Sequence, residues 1–150
     1  MTRRHGFTLI ETLISLVIVS TLLVIVLPKV GSALARHNLR GARTTVVNAT
    51  ALARAAAQEG TRSAWLKIDG TRALVVARPR MNPLAGSDAD TVGPIRDMAE
   101  EYGVTIAATV DSIRFSPSGL GGLGGTQTLT LSHGEYSEVI TLDGLGRVVK

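Results

Sequence analysis

The chain has 150 residues, enough for one domain with a modest core. Apolar residues make up 45% of it but aromatic residues only 3%, so the apolar excess is aliphatic. A net charge of +4 is too small to demand a polyanionic partner, and the lack of cysteine excludes a disulfide framework and thiolate chemistry.

Much of the aliphatic excess lies in one block, Phe7 to Leu27, which reads FTLIETLISLVIVSTLLVIVL. As a helix this block spans about 30 Å, the hydrocarbon thickness of a bilayer. The flank before it, Thr2-Arg3-Arg4-His5, is basic and assigns the N-terminal end to the cytoplasmic side. A secretory signal peptide would have a shorter apolar stretch. Ala33-Leu34-Ala35 imitates its cut site, but Pro28 and Lys29 intervene. A plain membrane anchor accounts for the length and the flank but not for Glu11. An ionised side chain in a membrane helix costs on the order of 2.5–3.5 kcal/mol at mid-bilayer, less near an end, and usually has a partner. A cut between Gly6 and Phe7 would create an α-amino group four residues upstream of Glu11. On a neighbouring subunit that amine is a suitable counter-charge.

The run Gly6-Phe7-Thr8-Leu9-Ile10-Glu11 resembles the type III signal sequence of type IV prepilins and pseudopilins. The resemblance implies a leader of residues 1–6, removed by prepilin peptidase after Gly6, with N-methylation of the new terminus Phe7. It also implies that Glu11 sets subunit registration during assembly. Pro28 resembles a helix-breaking proline of many pilins, so the expected break divides a transmembrane and filament-core helix, 7–27, from an amphipathic helix, 28–60.

In the second segment, Ala35, Leu39, Ala42, Val46, Ala49, Ala53 and Ala56 follow spacings of three and four and make one narrow apolar stripe. Small residues there let a sheet approach closely. Arg36, His37, Arg40, Arg43, Asn48, Arg54, Gln58 and Glu59 fall on the remaining surface. Gly60 is placed as the C-cap, and Gly31 and Gly41 as flexible points. Arg36, Arg40 and Arg43 read as a solvated basic face able to touch lipid headgroups. The competing reading is a phosphate-binding strip for DNA, but no aromatic residues alternate with these arginines.

Residues 61–150 read as a β-rich domain. The strands 64–68 and 73–77 flank Asp69-Gly70, a hairpin signal. Residues 78–94 are rich in Pro, Gly, Asp and Asn and read as a long loop, with a helical turn within 95–102. Strands follow at 104–110 and 112–115, then a flexible GLGGLGG loop at 119–125. A second hairpin, 126–131 and 136–142, turns around His133-Gly134, and a last short strand is expected at 147–150 after Asp143-Gly144. Three features resemble the minor pseudopilin family called H in type II secretion and its relative FimT in type IV pili. These are the 52–60 helix end, the run Ile113-Arg114-Phe115-Ser116-Pro117-Ser118-Gly119 leading to Thr128-Leu129-Thr130-Leu131, and the C-terminal Gly146-Arg147-Val148.

Catalytic chemistry has little to rest on. His5, His37 and His133 are scattered and form no metal-ligand pair. The Gly-rich run lacks the Lys-Ser/Thr of a phosphate loop, and an exposed polar loop explains Asp88-Ala89-Asp90 better than a calcium site. The expected architecture is α+β, a long N-terminal helix packed on a C-terminal antiparallel β-sheet domain, with no cofactor and no metal. The resemblance implies a structural, non-enzymatic subunit in the bacterial inner membrane, single-pass, with its globular domain in the periplasm. Its expected partners are other pilins or pseudopilins, prepilin peptidase and inner-membrane lipid. Its expected role is to help initiate a type II secretion pseudopilus. The alternative is a FimT-like minor pilin for pilus assembly or for DNA binding and uptake, the DNA bound through Arg36, Arg40 and Arg43 and by Arg147 and Lys150.

Overall fold

The structure, a computed structural model, describes residues 8–69, 73–79, 89–122 and 124–149. The leader, the Gly6–Phe7 junction, Gly70, Asp88, Leu123 and Lys150 lie outside the described residues. The chain divides into two units, residues 1–34 and residues 35–150. One helix, α1 (Leu9–Glu59), contributes to both.

In the first unit, α1 opens on Thr8, whose Oγ1 accepts the Glu11 N–H at 3.3 Å. This is an N-cap bond, and Thr8-Leu9-Ile10-Glu11 has the spacing of a capping box. The large aliphatic side chains from Leu9 to Leu27 are all exposed. The helix is long and apolar enough to cross a membrane. Pro28 does not break α1; the helix runs through it. Proline removes one backbone donor, and the hydrogen bonds of the flanking turns keep the helix in register.

In the second unit the expected stripe is buried. Ala35, Leu39, Ala42, Val46, Ala53 and Ala56 are joined by Thr50 and Ala57, while Ala49 is half-buried. The Thr50 hydroxyl donates to the Val46 carbonyl at 2.8 Å, which satisfies it inside the core. Two expectations on this helix are corrected. Gly41 is a packing niche rather than a flexible point: a Cβ there would lie 2.7 Å from Tyr102 Cε1, and the Tyr102 hydroxyl is 3.0 Å from Thr45 Oγ1. Arg54 is not a surface residue. It is half-buried, its Nη2 donates to the Gly146 carbonyl at 2.9 Å, and its guanidinium lies 5.7 Å from the Phe115 ring centroid.

The helix ends in a Schellman motif. The Thr61 N–H donates to Gln58 and the Arg62 N–H to Ala57, both at 3.2 Å. The left-handed residue is Thr61, at φ 48°, and not Gly60. A β-branched side chain in that region costs about 1–2 kcal/mol. Thr61→Gly is therefore expected to raise stability by about 1 kcal/mol, after the extra chain entropy of glycine is set against the relieved strain. A urea midpoint that stays put or falls would contradict this assignment.

Two antiparallel sheets follow. The first contains β1 (Ala64–Asp69), β2 (Ala73–Pro79), β3 (Ala89–Thr91), β4 (Arg96–Asp97) and β6 (Ser112–Phe115), in the order β3-β2-β1-β6 with β4 also on β2. The second is β5 (Thr105–Ala108), β7 (Gln127–His133) and β8 (Tyr136–Leu142), in the order β5-β7-β8. Both expected hairpins form, with Asp69 opposite Ala73 and His133 opposite Tyr136. The expected long loop is shorter than residues 78–94. Pairing with β2 turns Ala89–Thr91 and Arg96–Asp97 into strands. The helical turn is α2 (Met98–Tyr102), capped by Asp97 and closed by Gly103 at φ 64°. Instead of a final strand, Val148 makes an isolated bridge to Leu142.

Alternation sends Ala64, Leu66 and Ile68 of β1 and Ile113 and Phe115 of β6 inward. Leu129, Leu131, Ile140 and Leu142 do the same for the second sheet, and all join the buried helix stripe in one apolar cluster. Fully burying each large aliphatic side chain contributes roughly 1.5–3 kcal/mol.

The Gly-rich run is not uniformly a flexible loop. Its first part is pinned: the Gly121 N–H donates to Leu145 at 2.8 Å and the Gly122 N–H to Arg114 at 2.9 Å. Opposite it, Asp143 organises the 143–147 loop. Its Oδ1 accepts the Leu145 N–H at 3.0 Å and the Arg147 N–H at 2.8 Å, and its Oδ2 takes Arg147 Nε at 2.8 Å. The backbone bond from Arg147, with the guanidinium beside it, holds the Asp143 carboxyl below its usual 3.8. A lowered folded pKa contributes stability that is present above the unfolded value and is lost as pH falls through the folded one. The stability gap between the wild type and Asp143→Asn should therefore hold at neutral pH and shrink below about pH 3.9. Acid titration followed by circular dichroism checks this; a gap that persists to low pH contradicts it.

Candidate functional site

The polar side chains of the apolar segment sort into two kinds. The hydroxyls are satisfied by their own helix. Thr12 donates to Leu9 at 2.7 Å, Ser15 to Glu11 at 2.8 Å, Ser20 to Leu16 at 2.7 Å and Thr21 to Val17 at 2.8 Å. Such back-bonding removes the need for an outside partner in a low-dielectric medium. The Glu11 carboxylate is different. It is exposed, and among the described residues it has neither a hydrogen-bond donor nor an ion-pair partner. Sequence reasoning singled out Glu11 but missed Thr8 as its cap, although the Thr-x-x-Glu spacing was there to be read.

In the second unit, the basic row is partly engaged within the chain. Arg43 Nη1 lies 2.6 Å from Glu138 Oε1, and the Arg36 guanidinium sits 5.5 Å from the Tyr136 ring centroid. Arg36, Tyr136 and Glu138, together with Leu39, Arg40 and Ser137, line a cleft of about 230 Å³. Only Arg40 of the three extends into solvent without an ion-pair or ring partner among the described residues. Arg147 is tied to Asp143. Among the described residues, no group of three or more His, Cys, Asp or Glu side chains is placed to hold a metal ion.

The comparisons with known proteins agree with this geometry. Residues 1–27 match the family model described as the prokaryotic N-terminal methylation motif. No curated protein matches the chain. The fold is similar to a crystal structure of the type IV minor pilin FimU from Pseudomonas aeruginosa strain PAO1. That match has a TM-score of 0.58 at 16% identity and covers 75% of this chain and 87% of that one. A second crystal form of FimU matches with a TM-score of 0.48 at 14% identity, over 78% of this chain and 89% of that one. The N-terminal motif and the long helix packed on antiparallel sheets define a type IV pilin-like protein. Within that class, the solved structure it is similar to is a minor pilin, and at this level of identity the likeness is one of fold.

Proposed function

We propose that this chain is a structural subunit of a type IV filament rather than an enzyme. It is made as a precursor, cut between Gly6 and Phe7 by prepilin peptidase, and methylated on Phe7. It is held in the bacterial inner membrane by the apolar part of α1, with residues 35–150 in the periplasm. Assembly occurs through the same helix, when Glu11 of one subunit meets the new α-amino group of its neighbour. The observation that carries this reading is Glu11 itself: in a segment whose hydroxyls are all internally bonded, it is the one polar side chain left without a partner among the described residues. Leaving it so in a membrane is costly, and pairing it in a filament removes that cost.

The cut site has a direct test. Gly6→Ala should block processing and leave a membrane-bound precursor about six residues longer, resolved by mass spectrometry of the purified protein. Mature-length protein in that variant would refute the cut.

Between machines, the likeness to the minor pilin FimU favours a minor pilin of a type IV pilus. The resemblance of residues 113–131 and of Gly146-Arg147-Val148 to pseudopilin H favours a minor pseudopilin that helps initiate a type II secretion filament. Either way the subunit is a minor, assembly-priming one. Neighbouring genes for a secretin and other pseudopilins would select secretion, and a retraction ATPase would select the pilus. The basic row is a weak basis for DNA binding, because Arg36 and Arg43 are already engaged within the chain.

A further inference from the structure

The outer edge of β8 is covered along its C-terminal half. Val148 bridges Leu142, the Val149 N–H donates to the Thr141 carbonyl at 2.8 Å, and the Asp143 N–H donates to the Arg147 carbonyl at 2.9 Å. These bonds fix the parity of the strand. Thr141 turns its carbonyl outward, so Val139 and Ser137, two and four residues earlier, turn their N–H and C=O outward as well. Tyr136, Glu138 and Ile140 direct theirs to His133, Leu131 and Leu129 of β7. Among the described residues nothing pairs with the outward groups of Ser137 and Val139. Edge strands are commonly guarded by Lys, Pro or a bulge. Tyr136–Leu142 contains neither residue, and its register with β7 is unbroken.

Alternation decides what lies beside this open half. Ile140 and Leu142 point into the core, so Tyr136 and Glu138 share the helix side, while Ser137 and Val139 are exposed on the other face. On the helix side the cleft formed by Arg36, Leu39, Arg40, Tyr136, Ser137 and Glu138 runs between α1 and the edge. Its charge is one-sided. Glu138 is matched by Arg43 at 2.6 Å, Arg36 lies over a neutral ring, and Arg40 has no ion-pair partner among the described residues.

A strand added antiparallel here would lie about 4.8 Å outside β8. Its residues opposite Tyr136 and Glu138 would face the cleft, and those opposite Ser137 and Val139 would face solvent. A carboxylate opposite Tyr136 would meet Arg36 and Arg40; a basic side chain there would meet like charge. Polyphosphates and lipid headgroups would meet the arginines but carry no peptide groups for Ser137 and Val139.

We infer that the open half of β8 is a docking edge for an extended, acidic segment of a partner protein, which joins the second sheet as an antiparallel strand and places a carboxylate on Arg36 and Arg40. This does not rest on the Glu11 account. A chain that assembles but takes no strand defeats this inference alone, and a chain that takes a strand but assembles without Glu11 defeats only the other.

The test uses the full chain in non-ionic detergent, with amide exchange followed residue by residue by NMR. Thr-Val-Thr-Asp-Gly-Ser is appended after Lys150. In the Leu142–Val148 register this extension places its valine opposite Glu138 and its aspartate opposite Tyr136. In the unextended chain the Ser137 and Val139 amides should exchange at least about tenfold faster than that of Glu138, and the extension should slow both by at least about tenfold. Lysine in place of the appended aspartate should lose about fivefold of that protection, and an Arg36→Gln/Arg40→Gln double variant should make the two extensions equal. In trans, a labelled Thr-Val-Thr-Asp-Thr-Val-Thr-Asp peptide should bind the unextended chain saturably by anisotropy and should fail to bind the extended one. The inference is overturned if Ser137 and Val139 are already as protected as Glu138, or if the extension leaves them exchanging fast. It also falls if the aspartate and lysine extensions protect equally in the wild type, if inorganic polyphosphate slows the two amides as the extension does, or if the peptide binds the extended chain equally well.

Discussion

A Glu11→Val variant is expected to insert in the membrane and to be processed like the wild type, yet to be depleted from filaments roughly a hundredfold. The valine removes an ionised group from an apolar segment, so insertion loses nothing and gains part of the cost of burying a charge. What it loses is the partner for a neighbour's α-amino group. Leaving that amine unpaired among packed helices costs about 3 kcal/mol, which corresponds to about two decades in an association constant. Immunoblots of sheared filaments against the membrane fraction measure it, and a normal ratio for Glu11→Val would remove the counter-ion account. A local role for Glu11 also has to be separated out, because Thr8 Oγ1 accepts the Glu11 N–H and the two residues have capping-box spacing. If Glu11 served only to start the helix, Thr8→Ala would impair assembly as much as Glu11→Val. If its charge is what matters, Thr8→Ala assembles, while Glu11→Gln fails despite keeping the shape and the amide hydrogen bonds.

What the sequence made legible follows from the range of the interactions involved. The buried stripe from Ala35 to Ala56 was readable because a helix repeats every 3.6 residues, and the two hairpins because Asp69-Gly70 and His133-Gly134 punctuate alternating runs. Strands β3 and β4 were not readable: three and two residues carry no alternation, and they are strands only because β2 offers them an edge. Glu11 stood out because its cost is set by the neighbours in its own helix. The Thr8 cap is equally local, since a Thr-x-x-Glu spacing needs nothing beyond the first turn. The engagement of Arg54 needed the fold to bring Gly146 and Phe115, far away in the chain, against the helix. Gly41 shows the same limit: within the helix it is a weak point, and only the placement of Tyr102 makes it a niche.

Gly121→Ala is expected to cost the 35–150 unit about 3 kcal/mol and to lower its thermal midpoint by roughly 10 °C. Gly121 of the 119–122 run and Gly146 of the 143–147 loop meet backbone to backbone. A Cβ on Gly121 would stand 2.7 Å from the Gly146 nitrogen, 2.8 Å from its Cα and 2.9 Å from the Leu145 carbonyl carbon. No side-chain rotation relieves that contact, so the main chain has to move. Movement of the 143–147 loop is resisted on three sides. Gly121 donates to Leu145, Arg54 donates to the Gly146 carbonyl, and Gly146, at φ 73°, sits where its own Cβ would be 2.7 Å from the fully buried Phe115 ring. Shifting the loop would also strip Arg54 of this hydrogen bond, and its Nε is already buried without a partner. That adds the cost of an unsatisfied buried charge to the cost of overpacking. Gly125→Ala is the matched control: it lies in the same Gly-rich run, a Cβ there meets nothing within 4 Å, and its stability should stay within about 0.5 kcal/mol of the wild type. Melts of the two variants in detergent, followed by circular dichroism, decide the point. If Gly121→Ala unfolds with Gly125→Ala, the run is a slack tether; if it unfolds well below it, the run is part of the seam that closes the first sheet over Phe115.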